Sequence, residues 1–482
     1  MRTKLLILAS VMYYRGYFSW FLFKRLLKKI PFIYEKLYQN ANALEESLQT
    51  NYTNLESLPE KGLSIESILE RTDCVKPHQS MELVSGIIYN KSEEHFDALE
   101  KVFRKFRFTN PLHPDLFPEV REMEIDIINM ARDMFNGNKN VCGNVTSGGT
   151  ESILLAVYTY REWARKNYGI TSPNIVAFHS VHPAFDKACH YFGVSLRKVS
   201  SLFWMKLRMD WNTICVVGSA PTYGYGIVDP IKEMAFICRT RHIPLHVDCC
   251  MGGFLMPFLD SNHVSFKDRG ITSISADSHK YGNCYKGSSI LLFRDWNYKQ
   301  HQHFVKTDWE GGMYATPTLL GSKSGALFAT TWASMLLMGR ERYSQIAKTI
   351  QNHLVRIRNE FTDNPNITIL GHPTVNIIAF SSNTLDIYKI VQHMEGWNLS
   401  VLTNPPAFHF CITSVHNEKT IVNFIKDLYI AIEIAREKKD EKLSGTLAIY
   451  GSAAKIENSL FTNDVVNQYI GLLSSKKIFS LI

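Results

Sequence analysis

Between residues 137 and 330 the chain switches repeatedly between two periodicities, and no other feature restricts its fold as much. Apolar or β-branched runs at 175–178, 213–217, 244–247, 271–276 and 288–293 are separated by stretches with helical spacing, such as 151–166 and 184–192. Strands that alternate with helices need crossover connections, which predicts an α/β domain with a mostly parallel sheet flanked by helices. Sites in such sheets lie beyond the strand C-termini, so the residues just past each run carry the functional question.

On either side of this region the pattern changes. A long helical stretch from about 321 to 360 leads into 367–450, where strands at 367–370 and 374–380 mix with helices at 386–395 and 419–438, as in a smaller α+β domain. Upstream, 31–79 reads as polar helices and connectors, and a helix follows at 118–136. The expected division is 1–30 as a membrane anchor or membrane-surface helix, 31–115 as an N-terminal helical segment, 116–340 as the large domain, and 341–482 as a small C-terminal domain and tail. Residues 5–23 are aromatic and apolar but contain Arg15. A spanning helix needs about 20 apolar residues, and a central arginine costs about 2.5–3.5 kcal/mol, so spanning is marginal, and a buried N-terminal helix is the alternative. Lys24, Arg25, Lys28 and Lys29 outnumber Arg2 and Lys4, which leaves the bulk of the chain cytosolic.

Charge and cysteine content narrow the function. The 53 Lys and Arg residues exceed 45 Asp and Glu for a net charge of +8, yet they form no basic block, which argues against nucleic acid and leaves a membrane surface or an anionic substrate. The nine cysteines form no CxxC pair, so reduced thiols are expected and a zinc site is not.

Four stretches carry chemistry. Thr146-Ser147-Gly148-Gly149-Thr150-Glu151 is a glycine turn opening a helix, and exposed N–H groups there suit a phosphate, though a capped helix start reads the same way. His182 follows the 175–178 strand, where an imidazole can stack on a planar ring or simply be hydrogen-bonded structure. Asp248, in His246-Val247-Asp248, ends another strand; it suits a protonated pyridine nitrogen, or a helix cap. Lys280, in Asp277-Ser278-His279-Lys280-Tyr281-Gly282, ends a third. A lysine there is either a solvated loop residue or an amine for an aldehyde, and burial beside His279 and Lys286 would lower its pKa toward the neutral form. In that order along one α/β domain, the four meet what pyridoxal 5'-phosphate requires.

These stretches, with Val84-Ser85-Gly86 and Tyr89, Asn110-Pro111-Leu112-His113-Pro114-Asp115, Gly252-Gly253-Phe254, Lys286-Gly287-Ser288-Ser289 and Tyr450-Gly451, resemble the fold-type I pyridoxal-phosphate enzymes of the group II decarboxylase branch. Within that branch the asparagine-proline-leucine-histidine loop and the Lys286 run are similar to the lyases that cleave sphingoid base phosphates. The resemblance implies a seven-stranded-type, mostly parallel sheet, with Lys280 as the Schiff-base lysine, Asp248 on the pyridinium and His182 on the ring. It implies that Thr146, Ser147, Gly148, Gly149 and Thr150 hold the cofactor phosphate with His279 beside them. Tyr89, His113 and Lys286 would meet the substrate phosphate or reacting groups, with Lys280, Tyr89 and His113 as candidate bases.

The implied reaction is retro-aldol C2–C3 cleavage to a fatty aldehyde and phosphoethanolamine. An amino-acid decarboxylase and a non-catalytic membrane-associated protein are the alternatives. Also implied are a homodimer with sites at the subunit interface, reached by the loop 311–318, and an endoplasmic reticulum membrane location facing the cytosol. Three positions depart from the family pattern: Cys249 for alanine, where it would crowd the ring; Pro183 for a small residue; and Lys323 for arginine.

Overall fold

The computed structural model describes residues 55, 57–72, 80–260, 264–444 and 447. The expected membrane segment at 1–30, Tyr450-Gly451 and the tail lie outside them. Among the described residues no helix is long and apolar enough to cross a membrane.

Seven strands form the central sheet: β1 (Cys142–Thr146), β2 (Asn174–Phe178), β3 (Ser195–Val199), β4 (Thr213–Ser219), β5 (Leu245–Asp248), β6 (Ile271–Ala276) and β7 (Ser289–Phe293). Their order is β1-β7-β6-β5-β4-β2-β3. Pairing is parallel from β3 to β6, while β7 runs antiparallel to both β6 and β1. Strands covered on both faces read as near-continuous apolar runs, which is why 213–217 and 271–276 are visible in the sequence.

Alternate residues feed two cores. On one face Ile175, Ala177, Val217, Leu291 and Phe293 pack under α3 (Gly149–Tyr168) and α4 (Ala184–Phe192). On the other, Val176, Val216, Leu245, Val247 and Ile274 meet α2 (Pro118–Met134) and α5 (Ile231–Thr240). Helix α1 (Glu93–Phe106) lies against α6 (Gly325–Phe361), which is broken at Gly339, where φ is 56° and ψ 178°.

A second sheet is antiparallel throughout, in the order β10 (Thr368–Ile369), β11 (Ile377–Ser381), β13 (Pro406–Cys411), β12 (Ser400–Thr403). Helices α7 (Ile387–Gln392) and α8 (Glu418–Glu437) cover it, with Phe410 stacked on Phe424 at 4.4 Å. The expected N-terminal helical segment, 31–115, contains an extended piece bonded to this sheet. Ser85 N–H donates to Asn398 O and Gly86 N–H to Cys411 O, each at 2.9 Å. The loop expected at 311–318 is half of an exposed hairpin, β8 (Phe304–Trp309) and β9 (Gly312–Thr316).

Candidate active site

At the C-terminal ends of β4, β5 and β6 lies a cavity of about 400 Å³, within the usual range for a small-ligand site. Ser147, Gly148, Gly149 and Thr150 line it together with His182, Asp248, His279 and Lys280, so one space collects side chains separated by more than a hundred residues.

The glycine turn is shaped by close approach. Gly148 has a φ of 150° that disfavours other residues, and a Cβ on it would sit 3.3 Å from His279 Cε1. A Cβ on Gly149 would lie 2.7 Å from both carboxylate oxygens of Asp277. No side chain caps the N-terminus of α3, whose N–H groups are left for a ligand. Glu151 ties the turn down, accepting from the N–H of Ser147 and, at 3.0 Å, from that of Leu319.

Lys280 is placed differently from the expectation that neighbouring cations depress its pKa. Its Nζ lies 3.0 Å from Asp277 Oδ2, and Asp277 is almost fully buried. Burial, the largest single influence, lowers the lysine's value; Asp277, Cys250 and Tyr89 together overcome it, and the net shift is upward. Burial likewise opposes ionisation of Asp277, but Lys280 and His279 hold it below the usual carboxylate value. The resting amine is therefore a charged partner in an ion pair. Sequence reading quoted Asp277 and gave it no role, although its spacing of three residues from Lys280 in a turn was the available signal.

Asp248 Oδ1 accepts from Cys250 N–H at 3.0 Å and from the Ser275 hydroxyl at 3.4 Å. The feared crowding by Cys249 does not occur. Alternation along the chain turns Cys249 into the opposite core, and Cys250 lines the cavity instead. His182 Nδ1 accepts the N–H of Ala184 at 3.1 Å, which leaves the proton on Nε2. Tyr223 also lines the cavity, its ring 6.4 Å from that of His182; sequence reading missed it.

Four expected residues do not line the cavity. The Thr146 hydroxyl is 2.7 Å from Ser152 Oγ, inside the junction of strand and helix, because Thr146 ends β1 opposite Ser289. His113 is exposed on a turn closed by its own backbone, His113 N–H to Asn110 O at 3.1 Å. Tyr89 and Lys286 meet beside the cavity. Lys286 Nζ sits 4.5 Å over the Tyr89 ring and donates to His279 O at 3.2 Å. Burial and nearby Lys280 lower Lys286, and burial raises the Tyr89 phenol well above its ordinary value. Lys323 is turned toward β1, its Nζ 3.4 Å from Val145 O.

Next to Lys280, Tyr281 is buried. Its hydroxyl donates to Ile412 O at 2.7 Å and accepts from Asn376 Nδ2 at 2.6 Å, both residues of the small sheet region.

The residues present fit pyridoxal phosphate. Two buried polar atoms, His279 Nδ1 and Asp277 Oδ1, have no hydrogen-bond partner, and the former lies 3.9 Å from where a Cβ of Gly148 would be. An uncapped helix start with an orphaned ring nitrogen beside it suits a phosphate, and a lysine and a carboxylate share the same space.

Known proteins agree with this chemistry. The pyridoxal-dependent decarboxylase conserved domain matches residues 109–382. Sphingosine-1-phosphate lyase 1 of Rattus norvegicus is 38% identical over 458 residues, which span 89% of this chain and 80% of that protein. Sphingosine-1-phosphate lyase of Saccharomyces cerevisiae is 32% identical, spanning 94% and 82%. Among solved structures, Burkholderia pseudomallei sphingosine-1-phosphate lyase superposes with a TM-score of 0.77 at 35% identity, covering 81% of this chain and 95% of that one. Lactobacillus brevis glutamate decarboxylase, at 18% identity and a TM-score of 0.69, covers 81% and 96% and shares the fold.

Proposed function

The chain belongs to the pyridoxal-dependent decarboxylase family and, within it, to the sphingosine-1-phosphate lyases, and on that footing we propose that it splits phosphorylated sphingoid bases between C2 and C3 into a long-chain aldehyde and phosphoethanolamine. The observation that carries the reading is the meeting of the glycine cradle, Asp248 and Lys280 in one cavity.

Ser147, Gly148, Gly149, Thr150 and His279 Nδ1 hold the cofactor phosphate. Asp248 would hold the proton on the ring nitrogen, His182 would flank the ring, and Lys280 Nζ would be the amine for the aldehyde. When bound, the cofactor supplies an electron sink for the pair released as the C2–C3 bond breaks. Lys280 in the cavity and Tyr89 beside it are the groups placed to deliver the proton that C2 requires. Lys286, at the edge of the cavity with Tyr89, selects a phosphate by charge-assisted hydrogen bonds. His113, on an exposed loop, meets the substrate phosphate when a second subunit closes the site.

A homodimer is part of this proposal, supported by the exposed apolar residues Phe304, Val305, Trp309 and Met313 of the hairpin. So is attachment of residues 1–30 to the endoplasmic reticulum membrane, with the catalytic part in the cytosol, which places the chain beside a lipid substrate. The helix break at Gly339 supports a domain boundary near 340.

Incubating the purified full chain with pyridoxal phosphate and a sphingoid base phosphate tests the activity. Aldehyde and phosphoethanolamine in equal amounts, without carbon dioxide, are expected. Carbon dioxide from an amino acid would instead establish a decarboxylase, and a chain that stays colourless with added cofactor would exclude both.

A further inference from the structure

His246 is fully buried below the cavity and takes no part in lining it. The register of β5 on β6 sets His246 beside Ser273 and Asp248 beside Ser275, so four polar side chains share the sheet face under α3. Tyr160 reaches down from α3, its hydroxyl donating to Ser273 Oγ at 2.6 Å. Ser273 Oγ is 2.7 Å from His246 Nδ1, His246 Nε2 is 3.4 Å from Ser275 Oγ, and Ser275 donates to Asp248 Oδ1 at 3.4 Å.

Counting protons gives this row a direction. An ionised carboxylate can only accept, so the Ser275 hydroxyl points at Asp248 and must itself accept from His246 Nε2–H. The imidazole Nδ1 is then an acceptor, taking the Ser273 proton, and Ser273 oxygen accepts from Tyr160. Each link of the row uses one proton, and two contacts flank it: the Tyr160 hydroxyl is also 2.6 Å from Thr272 Oγ1, and the Cys250 thiol donates to Ser275 Oγ at 3.5 Å. An imidazole buried in a sheet costs stability unless both nitrogens are bonded, and here both are. Burial pushes His246 down to about 4, with Asp248 opposing, so the ring is neutral at physiological pH.

We propose that His246 is a positioning residue, the middle of a one-way hydrogen-bond chain from Tyr160 to Asp248 that fixes the orientation of that carboxylate and hence the grip on the cofactor ring nitrogen. The inference rests on the functional reading above, which gives Asp248 that nitrogen. With Oδ1 committed to Cys250 N–H and Ser275, Oδ2 is the oxygen assigned to the ring.

The test is a double-mutant cycle on the full chain, read as the dissociation constant of pyridoxal phosphate from the cofactor-free protein, with the melting temperature of each variant as a check on folding. Ser275→Ala and His246→Leu each weaken cofactor binding about tenfold. His246→Gln, whose amide can donate from the position of Nε2, stays within about twofold of wild type. The Ser275→Ala/His246→Leu double variant is no weaker than either single one, because both cut the same chain. Additive losses, or Gln behaving as Leu, would reduce His246 to a packing role and overturn the inference. So would unchanged affinity in Ser275→Ala, which removes one oxygen and keeps the fold even where His246→Leu does not. If the wild-type chain itself takes up no cofactor, the functional reading fails and this inference with it; normal wild-type uptake with unaffected variants overturns this inference alone.

Discussion

The proposed cofactor half of the site and the proposed substrate half are built in different ways. Gly148 and Gly149 open α3, and Asp248, Asp277 and Lys280 stand at or just past strand ends of the sheet, packed so closely that a single methyl group at Gly149 would strike a carboxylate. Tyr89, Lys286 and His113 stand on connecting segments, half-buried or exposed, and none lines the cavity. Chemistry that depends on a fixed ring needs preorganised partners, whereas recognition of a mobile phosphate tolerates long side chains on adaptable segments. The first half is gathered in one cavity of this chain, and the proposed second half stands beside it or at the surface.

If that contrast holds, damage to the two halves separates in the measurements. Lys280→Ala costs the largest factor, at least about a thousandfold in turnover, and abolishes the visible absorbance of bound cofactor; residual colour with residual turnover would break the contrast. Lys286→Met lowers kcat/KM for the phosphorylated substrate about ten- to a hundredfold, as loss of a charge-assisted hydrogen bond does, while the cofactor dissociation constant is unchanged. A parallel loss of cofactor would merge the halves into one.

Asp277→Asn sharpens the picture from inside. In the cofactor-free wild type the raised Lys280 value keeps the amine charged, so cofactor uptake is slow near neutrality and accelerates as pH rises. Removing the carboxylate lowers the lysine's value, and uptake at neutral pH becomes about tenfold faster, equivalent to one pKa unit. The ion pair also contributes to stability. With the carboxyl lowered and the lysine raised, that contribution is present from about pH 3.9 to about 10.4, the unfolded values. It is lost as pH falls through the folded value of Asp277 or rises through that of Lys280. Urea titrations of wild type and Asp277→Asn should therefore diverge most in that window. The smallest effect belongs to the hairpin: Trp309→Ser with Met313→Ser weakens self-association about tenfold in sedimentation velocity, with activity falling only as dimer is lost.

The same contrast explains what could be read from the sequence. Strands β4 and β7 are apolar on both faces and announce themselves, and β6 does so through its isoleucines although Ser273 and Ser275 occupy its other face. Cys142-Gly143-Asn144-Val145-Thr146 and Ser195-Leu196-Arg197-Lys198-Val199 do not, since β1 and β3 are the two edges of the sheet and β3 is largely solvated. The cradle, Asp248 and Lys280 were legible because their backbone setting, a strand end or a helix start, fixes where the side chain goes. His113 stands exposed on its turn, because two prolines fix a turn without fixing which way its side chain faces. Asp277 went unused because the search was for cations beside the lysine, His279 and Lys286, whereas its nearest charge in space is the carboxylate three residues before it.

Tyr281 has a further consequence. It follows Lys280 directly, yet its hydroxyl is bolted to Ile412 and Asn376 of the small sheet region. The peptide that carries the reactive amine thus belongs mechanically to both bodies, and the small sheet cannot turn without tugging on it.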